Sequence, residues 1–526
     1  MNMLLIHPPV TRPCEPPAGI ARLCGALHHH GIKYSALDAN LEGLLSILET
    51  PLLSSDTWTK RASHHSPGHL ALLNSWDGYK NAARYRRAIK DLNRILERAV
   101  RPKHARLGLA NYEHEILSPV RSADLIRSAE NPEDNPFYPY FKKRLTDLLK
   151  DNQPPVIGFS LNYLSQGLST FAMLGFLRRE WPKIKLSLGG GLVTSWMRRP
   201  HWENPFGGVA DYLVAGPGEG TLLSLFDVRG KDLVFRPDFD CLPTRNYFAP
   251  GLILPYSAST GCYWNRCSFC PEGAEGNSYV PIPADEVIRD LLYLVDQQKP
   301  VLIHLLDNAI NPSVMKAICE HPLGVPWYGF ARISRHLTDP DFCRALKQSG
   351  CVMLQIGLES GDQSVLDDLQ KRINLDDASI ALKNLKESGI ATYVYLLFGT
   401  PSEDLVKARR TLEFVVQHHD CIHFLNLAIF NMPTYGPDTE KFETSAFYEG
   451  DLSLYTSFDH PEGWSRQRIR QFLDKEFRRH PAIAPILRRD PPIFTSNHAP
   501  FFVVDERTAD RLIAVKPRGI REEPDD

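Results

Sequence analysis

The sequence predicts an α/β protein built from two successive parallel-sheet units, followed by a mixed, partly helical C-terminal region. Three observations favour this fold class. Short apolar strands alternate with helical patterns over residues 1–235, and the alternation restarts near residue 256 and continues to about residue 435. Strands that alternate with helices are typical of parallel sheets, because parallel strands need a crossover connection that is usually a helix. A chain of 526 residues also exceeds one ordinary core, so several domains are expected.

The first unit, residues 1–235, is predicted to be a doubly wound, Rossmann-like sheet. Its predicted strands are Leu4–Ile6, Tyr34–Leu37, Val156–Ser160, Ile184–Leu188 and Tyr212–Val214. Such sheets bind ligands at the carboxyl ends of their strands. Small or polar residues occupy those ends here: Pro9, Ser160, Asn162, Gly190, Gly191, Gly218 and Glu219. Small residues let a backbone approach a flat ligand closely, so this edge is a candidate binding site.

Residues 41–150 interrupt the alternation and are predicted to be a helical insertion. A charged helical pattern covers Arg84–Val100, and a second helix is predicted over Arg144–Leu149, after the aromatic run Phe137–Phe141. We interpret these aromatics as core residues. We expect the insertion to cap the ligand of the first unit or to contact a substrate.

The second unit, residues 236–435, carries polar residues at the ends of its predicted strands. These strands are Ile253–Ser259, Leu302–Leu306, Trp327–Ile333, Met353–Leu358, Tyr393–Phe398 and His423–Ile429. In α/β barrels the chemistry lies at the carboxyl ends of the strands. The candidate residues there are Asp307, Tyr328, Arg332, Glu359, Ser360 and Gly399. Structural alternatives exist for single members, since Arg332 could form a surface ion pair and Glu359 could cap a helix.

Three cysteines, Cys262, Cys267 and Cys270, lie in the loop that follows the first strand of the second unit. A structural zinc site normally takes four protein ligands, and an electron-transfer [4Fe–4S] cluster takes four cysteines. Three thiolates would instead leave one iron open for a substrate or cofactor. The alternatives are a zinc site completed by a distant histidine, or three buried thiols.

The cysteine loop resembles the cluster loop of the radical S-adenosylmethionine enzymes, and Phe269 fits the aromatic that precedes their last cysteine. One departure is the four residues between Cys262 and Cys267, where three is commonest. The resemblance implies a [4Fe–4S] cluster on the three cysteines, S-adenosylmethionine on the open iron, and a partial (β/α)₆ barrel. The S-adenosylmethionine contacts that it implies are Phe269, Asp307, Tyr328, Arg332, Glu359, Ser360 and Gly399.

The first unit resembles the cobalamin-binding domain found in one large class of these enzymes. The matching pieces are Pro8-Pro9 with Pro16-Pro17, Asp38–Asn40, the turn Gly189–Gly191 and Gly218-Glu219. The chain has no Asp-x-His-x-x-Gly motif, so the resemblance implies base-off cobalamin without a histidine ligand. The implied cobalamin contacts are Pro9, Ser160, Asn162, Gly190, Gly191, Gly218 and Glu219.

Bulk composition limits the possible partners and compartments. The net charge of −2 indicates no nucleic-acid partner, and no apolar run approaches the ~20 residues of a membrane span. Ten cysteines, three of them in one cluster, indicate a reducing cytoplasm, and the N-terminus does not read as a signal peptide. The chemistry of the family implies a low-potential electron donor, flavodoxin or ferredoxin. The substrate, a small molecule or a peptide, is not specified by the sequence.

The sequence therefore predicts a cobalamin-dependent radical S-adenosylmethionine methyltransferase acting at an unactivated carbon or at phosphorus. The alternative within the class is a cyclase or rearrangement enzyme that transfers no methyl group. Two hypotheses of another kind are a non-catalytic cobalamin or redox sensor and a zinc protein. The C-terminal extension, residues 436–526, contains a basic helical pattern over Trp464–His480. It could close over the barrel mouth or serve only a structural role.

Overall fold

Two parallel sheets, one in each predicted unit, organise the chain. The computed structural model describes residues 2–52, 56–228, 234–436, 439–492 and 498–504. The strands of the first unit are β1 (Met3–His7), β2 (Tyr34–Asp38), β3 (Ala105–Leu107), β4 (Tyr112–His114), β5 (Val156–Ser160), β6 (Lys185–Gly189) and β7 (Tyr212–Leu213). Its helices are α1 (Ala18–His29), α2 (Ala39–Glu49), α3 (Thr57–Leu73), α4 (Trp76–Tyr79), α5 (Ala82–Val100), α6 (Ser122–Glu130), α7 (Tyr138–Leu149), α8 (Leu164–Glu180), α9 (Gly191–Met197) and α10 (Glu219–Ser224).

The first sheet has the strand order β2-β1-β5-β6-β7, and all its pairs are parallel. Its central strands are continuous apolar runs because helices cover both faces. In β1, Met3 and Leu5 belong to one hydrophobic cluster, while Leu4 and Ile6 belong to another on the opposite face. The strand order reverses between β1 and β5, which is where doubly wound sheets bind ligands. The predicted sheet and its five strands are confirmed.

The insertion consists of α3 to α7 and the antiparallel hairpin β3–β4. Helix α5 confirms the predicted helix and buries Tyr85, Ile89 and Leu92 against its neighbours. Helix α7 begins at Tyr138, six residues before the predicted start. Pro139 lies in its first turn, where the missing N–H of proline has no partner to lose. Phe137 and Phe141 are fully buried, so their interpretation as core residues is confirmed.

The second sheet has six parallel strands that pair in chain order, the arrangement of a partial (β/α)₆ barrel. The strands of this unit are β8 (Ile253–Tyr256), β9 (Ser259–Thr260), β10 (Val280–Pro281), β11 (Leu302–Leu305), β12 (Trp327–Ala331), β13 (Cys351–Glu359), β14 (Ala391–Phe398) and β15 (Phe424–Ile429). Its helices are α11 (Pro271–Ala274), α12 (Ala284–Gln298), α13 (Pro312–Glu320), α14 (Pro340–Gln348), α15 (Gln363–Asp368), α16 (Leu375–Glu387) and α17 (Leu405–Gln417). The six strands predicted for the second unit are confirmed.

The C-terminal region is mixed, as predicted. Its elements are β16 (Met432–Pro433), β17 (Thr444–Ala446), β18 (Tyr455–Phe458), α18 (Arg466–Phe472), the π-helix Leu473–Phe477, α19 (Ala484–Arg489) and α20 (Pro500–Val503). A short 3₁₀ turn of this region is Thr439–Lys441, and those of the two sheet units are Arg101–Lys103, Pro132–Asp134 and His419–Cys421. The predicted helix over Trp464–His480 is thus shorter than expected and ends in a π-helical turn.

The end of the described chain packs against one end of the barrel. Ala499, Phe502 and Val503 pack against Ile253, Leu302 and Phe424 at the amino-terminal ends of the barrel strands. The polar, proline-containing stretch 491–501, which the sequence predicts to be a loop, lies only partly within the described residues, and residues 505–526 lie outside them. Within the described ranges, no helix is both long and apolar enough to cross a membrane.

Candidate functional site

The cysteine loop leaves the barrel at the carboxyl end of β8 and is closed at its base by backbone pairing. Thr260 in β9 pairs with Val280 in β10, so residues 261–279 form one protruding loop. Gly261 has φ +73°, and a Cβ there would lie 2.6 Å from the carbonyl oxygen of Ser278. Only glycine suits this close approach, which fixes where the loop begins.

Cys262, Cys267 and Cys270 are partly buried. They lie close enough that a negative charge on one thiolate would raise the pKa of its neighbours. Burial raises the pKa of the Cys270 thiol to about 11 and also raises the pKa of Cys267. Among the described residues, no three histidine, cysteine or carboxylate side chains converge as a metal site. The donor set suits an iron–sulfur cluster, and ligation would require these thiols to lose their protons.

Arg332, at the end of β12, braces this loop. Its guanidinium carbon lies 3.8 Å from the ring centre of Trp264 in the loop, a cation–π stacking distance. Its Nη2 donates to the carbonyl oxygens of Lys371 and Arg372, the latter at 3.2 Å. Trp264 Nε1 donates to the Gln370 carbonyl oxygen at 3.1 Å, so the loop, β12 and the 370–372 turn form one unit. Burial lowers the pKa of Arg332.

A buried ion pair between Glu359 and Lys371 lies beside this unit. Lys371 Nζ donates to Glu359 Oε1 at 2.7 Å, and both side chains are only about one-tenth exposed, at 11% and 12%. Glu359 has φ +70°, a left-handed conformation rare for a non-glycine residue. A Cβ at Gly357 would lie 2.8 Å from the Glu359 carboxylate. Lys371 Nζ also lies 5.5 Å from the ring centre of Phe269, which places the pair at the cysteine loop.

Asp307 follows β11 and holds the start of the cysteine loop. Its carboxylate accepts hydrogen bonds from the Ala258 backbone N–H at 3.0 Å and from the Ser259 hydroxyl. The residue is nearly fully buried, and burial raises its pKa. In this structure the Asp307 carboxylate, which the resemblance implies as an S-adenosylmethionine contact, therefore binds the β8–β9 connection.

Ser360 and Gly399 lie at the ends of β13 and β14 and are fixed by neighbouring side chains. Ser360 Oγ is buried 3.1 Å from Thr411 Oγ1. Gly399 has φ +80°, and its N–H donates to Glu403. Glu403 is fully buried, also accepts from Trp464 Nε1 at 3.0 Å, and has its pKa raised by burial to about 7.

A cavity of about 730 Å³ opens between the first sheet and the cysteine loop. Its first-sheet wall includes Ser160, Asn162, Gly190, Gly191, Gly218 and Glu219. Its opposite wall includes Thr260, Gly261, Pro271 and Glu272, next to the last cysteine. Six of the seven strand-end residues predicted for the first unit therefore share one cavity, whereas Pro9 is buried in the loop after β1.

The first-sheet wall is open because its residues are small. Gly190 has φ +109°, and a Cβ there would lie 2.4 Å from the Leu161 carbonyl oxygen. The Gly191 N–H donates to Asn162 Oδ1 at 2.9 Å, which holds the glycine turn against the end of β5. Glu219 is buried and pairs with Arg22 at 2.8 Å. Such a glycine-lined slot suits a large flat ring system.

A layer of buried polar side chains lies inside the barrel and was not predicted from the sequence. His304 Nδ1 lies 3.0 Å from both carboxylate oxygens of Glu15, which comes from the loop after β1 in the first unit. The His304 ring stacks on Tyr328 with 4.3 Å between centroids. Gln355 Nε2 donates to the Tyr395 hydroxyl at 3.1 Å, while Gln355 Oε1 and the Tyr328 hydroxyl are buried without a partner in the described structure. The available signal was a polar residue inside an otherwise apolar buried strand, as with His304 in β11 and Gln355 in β13.

The two units also meet at the rim of the cavity. Ser195 Oγ in α9 donates to Glu275 Oε1 at 2.6 Å, and Glu275 lies in the cysteine loop five residues after Cys270. Asn277 Nδ2 donates to the other carboxylate oxygen at 3.1 Å. Glu275 therefore joins the glycine-turn helix of the first unit to the segment that carries the last cysteine.

Residues 256–415 match the sequence model of the Radical SAM superfamily, which confirms the resemblance predicted from the cysteine loop. The chain is 27% identical over 200 residues to the bacteriochlorophyllide d C-12(1)-methyltransferase of Chlorobaculum tepidum, covering 36% of this chain and 42% of that protein. It is 26% identical over 149 residues to the anaerobic magnesium-protoporphyrin IX monomethyl ester cyclase of Rubrivivax gelatinosus, covering 27% of each. The chain thus matches less than half the length of these curated relatives.

The fold is similar to that of a solved radical S-adenosylmethionine methyltransferase, TsrM from Kitasatospora setae, with cobalamin and a [4Fe–4S] cluster bound. The TM-score is 0.52 at 15% identity, over 84% of this chain and 77% of that chain. At this identity the likeness concerns the fold, and it confirms the predicted succession of a Rossmann-like unit, a partial barrel and a C-terminal region.

Proposed function

We propose that this chain is a cobalamin-dependent radical S-adenosylmethionine enzyme that methylates an unactivated carbon or a phosphorus centre. The observation that carries the proposal is the cavity of about 730 Å³. One of its walls is the glycine-rich edge of a doubly wound sheet, and the other includes residues of the cysteine loop next to Cys270. The cavity could thus bring a corrin ring next to an iron–sulfur cluster. The proposed extents are residues 1–235 for the cobalamin unit, 236–435 for the radical core and 436–526 for the C-terminal extension.

Each cofactor has its proposed residues in this chain. Cys262, Cys267 and Cys270 would ligate the cluster. The S-adenosylmethionine contacts would be Phe269, Asp307, Tyr328, Arg332, Glu359, Ser360 and Gly399. Base-off cobalamin without a histidine ligand would contact Pro9, Ser160, Asn162, Gly190, Gly191, Gly218 and Glu219. When bound, these groups would supply a hydrogen-abstracting radical and a transferable methyl group.

The residues of the chain would orient these groups and exclude water. The Glu359–Lys371 pair offers one anion and one cation, which complement the ammonium and carboxylate of an amino-acid moiety. The Glu275 contact would hold the two units at a fixed separation. Gln355 Oε1 and the Tyr328 hydroxyl would hydrogen-bond the substrate or water inside the barrel, because buried polar groups normally have partners.

The proposed setting is the cytoplasm, with flavodoxin or ferredoxin as the electron donor. Support comes from the ten cysteines, which include an oxygen-sensitive ligand set and suit a reducing compartment. The substrate is proposed only as a small molecule or peptide that reaches the barrel interior.

The test is anaerobic reconstitution with iron, sulfide and cobalamin, followed by mass spectrometry of S-adenosylmethionine products after reduction. We expect about four irons per chain and 5′-deoxyadenosine in the native protein. The Cys262→Ala/Cys267→Ala/Cys270→Ala variant should lose both, whereas Cys343→Ala, which removes a buried thiol far along the barrel, should keep them. Zinc binding, or no 5′-deoxyadenosine from fully loaded protein, would contradict the radical assignment.

A second candidate function is cyclisation or rearrangement without methyl transfer. The specific observation in its favour is the similarity to an anaerobic cyclase of Rubrivivax gelatinosus. The two candidates differ in one product of the same experiment. S-adenosylhomocysteine formed together with 5′-deoxyadenosine in the presence of substrate supports methyl transfer, and turnover without S-adenosylhomocysteine supports the cyclase.

A further inference from the structure

Two cysteines outside the cluster loop face each other between the units of the chain. Cys24 lies on α1, and Cys241 lies in the segment that leads from the first sheet to the barrel. Their sulfur atoms are 3.1 Å apart, although 217 positions separate them in sequence. Cys24 is fully buried and Cys241 is half-buried.

Backbone contacts on both sides of the pair hold the two segments together. The Asp238 N–H donates to the Ala21 carbonyl oxygen at 2.9 Å. One helical turn further along α1, a Cβ at Gly25 would lie 2.0 Å from the Arg236 carbonyl oxygen, so the backbones touch there. A disulfide has an S–S length of about 2.05 Å. Closing this pair therefore needs the two sulfur atoms to approach each other by about 1 Å.

A metal site is the main alternative for this pair, because Asp238 and His28 are close by. The Asp238 carboxylate already accepts from the Tyr34 hydroxyl and contacts His28 Nδ1 at 2.9 Å. The paired thiols are therefore better suited to bond with each other than to hold a cation.

We propose that Cys24 and Cys241 are a redox-responsive covalent modification site. The pair is reduced in a reducing cytoplasm and is oxidised to a disulfide by a low-molecular-weight disulfide of the glutathione class when that compartment becomes oxidising. The partly exposed Cys241 attacks first and forms a mixed disulfide, releasing one reduced small thiol. Cys24 then displaces the second small thiol and closes the protein disulfide. Two protein thiols are oxidised and one small disulfide is reduced to two thiols, so hydrogen atoms and electrons balance.

The order of attack follows from the environments of the two thiols. The hydrogen bond to Cys241, together with burial, raises the pKa of Cys24 well above its usual range. Cys24 therefore stays protonated and inaccessible until its neighbour has been activated.

Oxidation would lock one wall of the cofactor cavity. Helix α1 contributes Gly19, Ile20 and Leu23 to the cavity lining, and its Arg22 pairs with Glu219 on the same wall. A disulfide at Cys24 would fasten this helix covalently to the inter-unit segment. It would also stabilise the fold by restricting the unfolded chain over a long loop. The proposed disulfide does not depend on which reaction the chain catalyses.

The experiment exposes cluster-reconstituted, full-length protein to oxidised glutathione, alkylates the remaining thiols and maps the peptides by mass spectrometry. We expect a linked pair of peptides containing Cys24 and Cys241, and a melting temperature higher by about 5 °C that dithiothreitol reverses. Cys24→Ser and Cys241→Ser should each abolish the link and the shift. Cys421→Ser, which removes a buried thiol with no cysteine partner in the described structure, should retain both.

Several outcomes would overturn the inference. One is the recovery of both residues in alkylated form after oxidation, which would make them ordinary apolar core residues. Another is a link from either residue to a cysteine of the cluster loop. A third is a link that forms only after thermal unfolding, as shown by its absence from oxidised protein that has not been heated.

Discussion

Arg332 shows how a single side chain can connect the cysteine loop to the barrel. The sequence analysis predicted it as an S-adenosylmethionine contact at a strand end. In the structure one face of its guanidinium group stacks on Trp264, and one edge donates hydrogen bonds to the carbonyl oxygens of residues 371 and 372. A role toward S-adenosylmethionine stays a prediction, and it would have to share the guanidinium with these contacts.

Replacing Arg332 by lysine should loosen the cysteine loop. Lysine keeps the charge but cannot stack a planar group and bond two carbonyls together. We expect a loss of about 2 kcal/mol of stability and a reduced iron content after reconstitution. Thermal unfolding and iron analysis measure both effects, with Arg335→Lys on the exposed loop that follows β12 as the control. Unchanged iron content in Arg332→Lys would contradict the bracing role.

At the residue scale, local motifs were predictable and long-range partners were not. Cys262, Cys267 and Cys270 are close in sequence, so their spacing carried the information. The contact between Glu15 and His304 spans 289 positions, and neither residue lies in a motif. A strand pattern says which side chains point inward, but it does not say which loop of another unit reaches them.

The turn between β6 and α9 requires glycine at position 190 for two structural reasons. Gly190 precedes the helix with φ +109° and almost touches the backbone after β5. That conformation and that contact both exclude a side chain, so the turn can only be built with glycine at this position.

Gly190→Ala should therefore damage the cavity wall. We expect a loss of at least about 2 kcal/mol of stability, from strain at positive φ and from the clash with Leu161. The amount of bound cobalamin, measured by absorbance after gel filtration, should also decrease. Gly207→Ala is the matched control, because nothing lies within 4 Å of its added Cβ. Equal cobalamin retention in both variants would show that the turn does not line the corrin site.

The turn after β14 depends on a buried carboxyl, which makes its stability sensitive to pH. The pKa of Glu403 is raised by burial from 4.5 to about 7. The folded state thus binds a proton more tightly than the unfolded state, and this contribution is fully present below pH 4.5. It is lost as the pH rises towards 7, by up to about 3 kcal/mol, because the charged form must then remain buried.

Glu403→Gln should remove this pH dependence, since the amide imitates the protonated acid. Between pH 5 and 8 the melting temperature of the variant should rise relative to that of the native protein. Thermal unfolding at several pH values measures the difference, and the exposed Glu462→Gln serves as control. Parallel curves for native protein and Glu403→Gln would show that Glu403 titrates near its ordinary pKa.

Elements were predictable where side-chain burial repeats with the period of the backbone. The strands of both sheets are buried apolar runs, and each was located within a few residues. Helix α18 ends in a π-helical turn over Leu473–Phe477, where the backbone hydrogen bonds change register. Buried Leu473 and Phe477 still follow a helical spacing, so the pattern contained no signal for that change.

At the scale of the whole molecule, the proposed function depends on how the two units are held across the cavity. The sequence predicted each unit but not their junction, because side chains at the junction are separated by tens of residues and follow no period. Ser195 and Glu275 provide one such contact, 80 positions apart, directly between α9 and the part of the cysteine loop that follows Cys270. Arg198 Nη1 adds a longer contact of 3.5 Å to the Glu275 carbonyl oxygen.

Removing the Ser195 hydroxyl should loosen this junction without unfolding either unit. Ser195→Ala leaves one Glu275 oxygen without its donor, for a cost of about 1 kcal/mol. We expect faster hydrogen–deuterium exchange in both segments that meet there, residues 191–198 and residues 271–277, because each loses its attachment to the other. Ser224→Ala, which removes an exposed hydroxyl bonded only within α10, should leave both segments unchanged. Faster exchange in residues 191–198 alone would mean that Glu275 does not couple the units, and the cysteine loop would then be positioned by the barrel and Arg332.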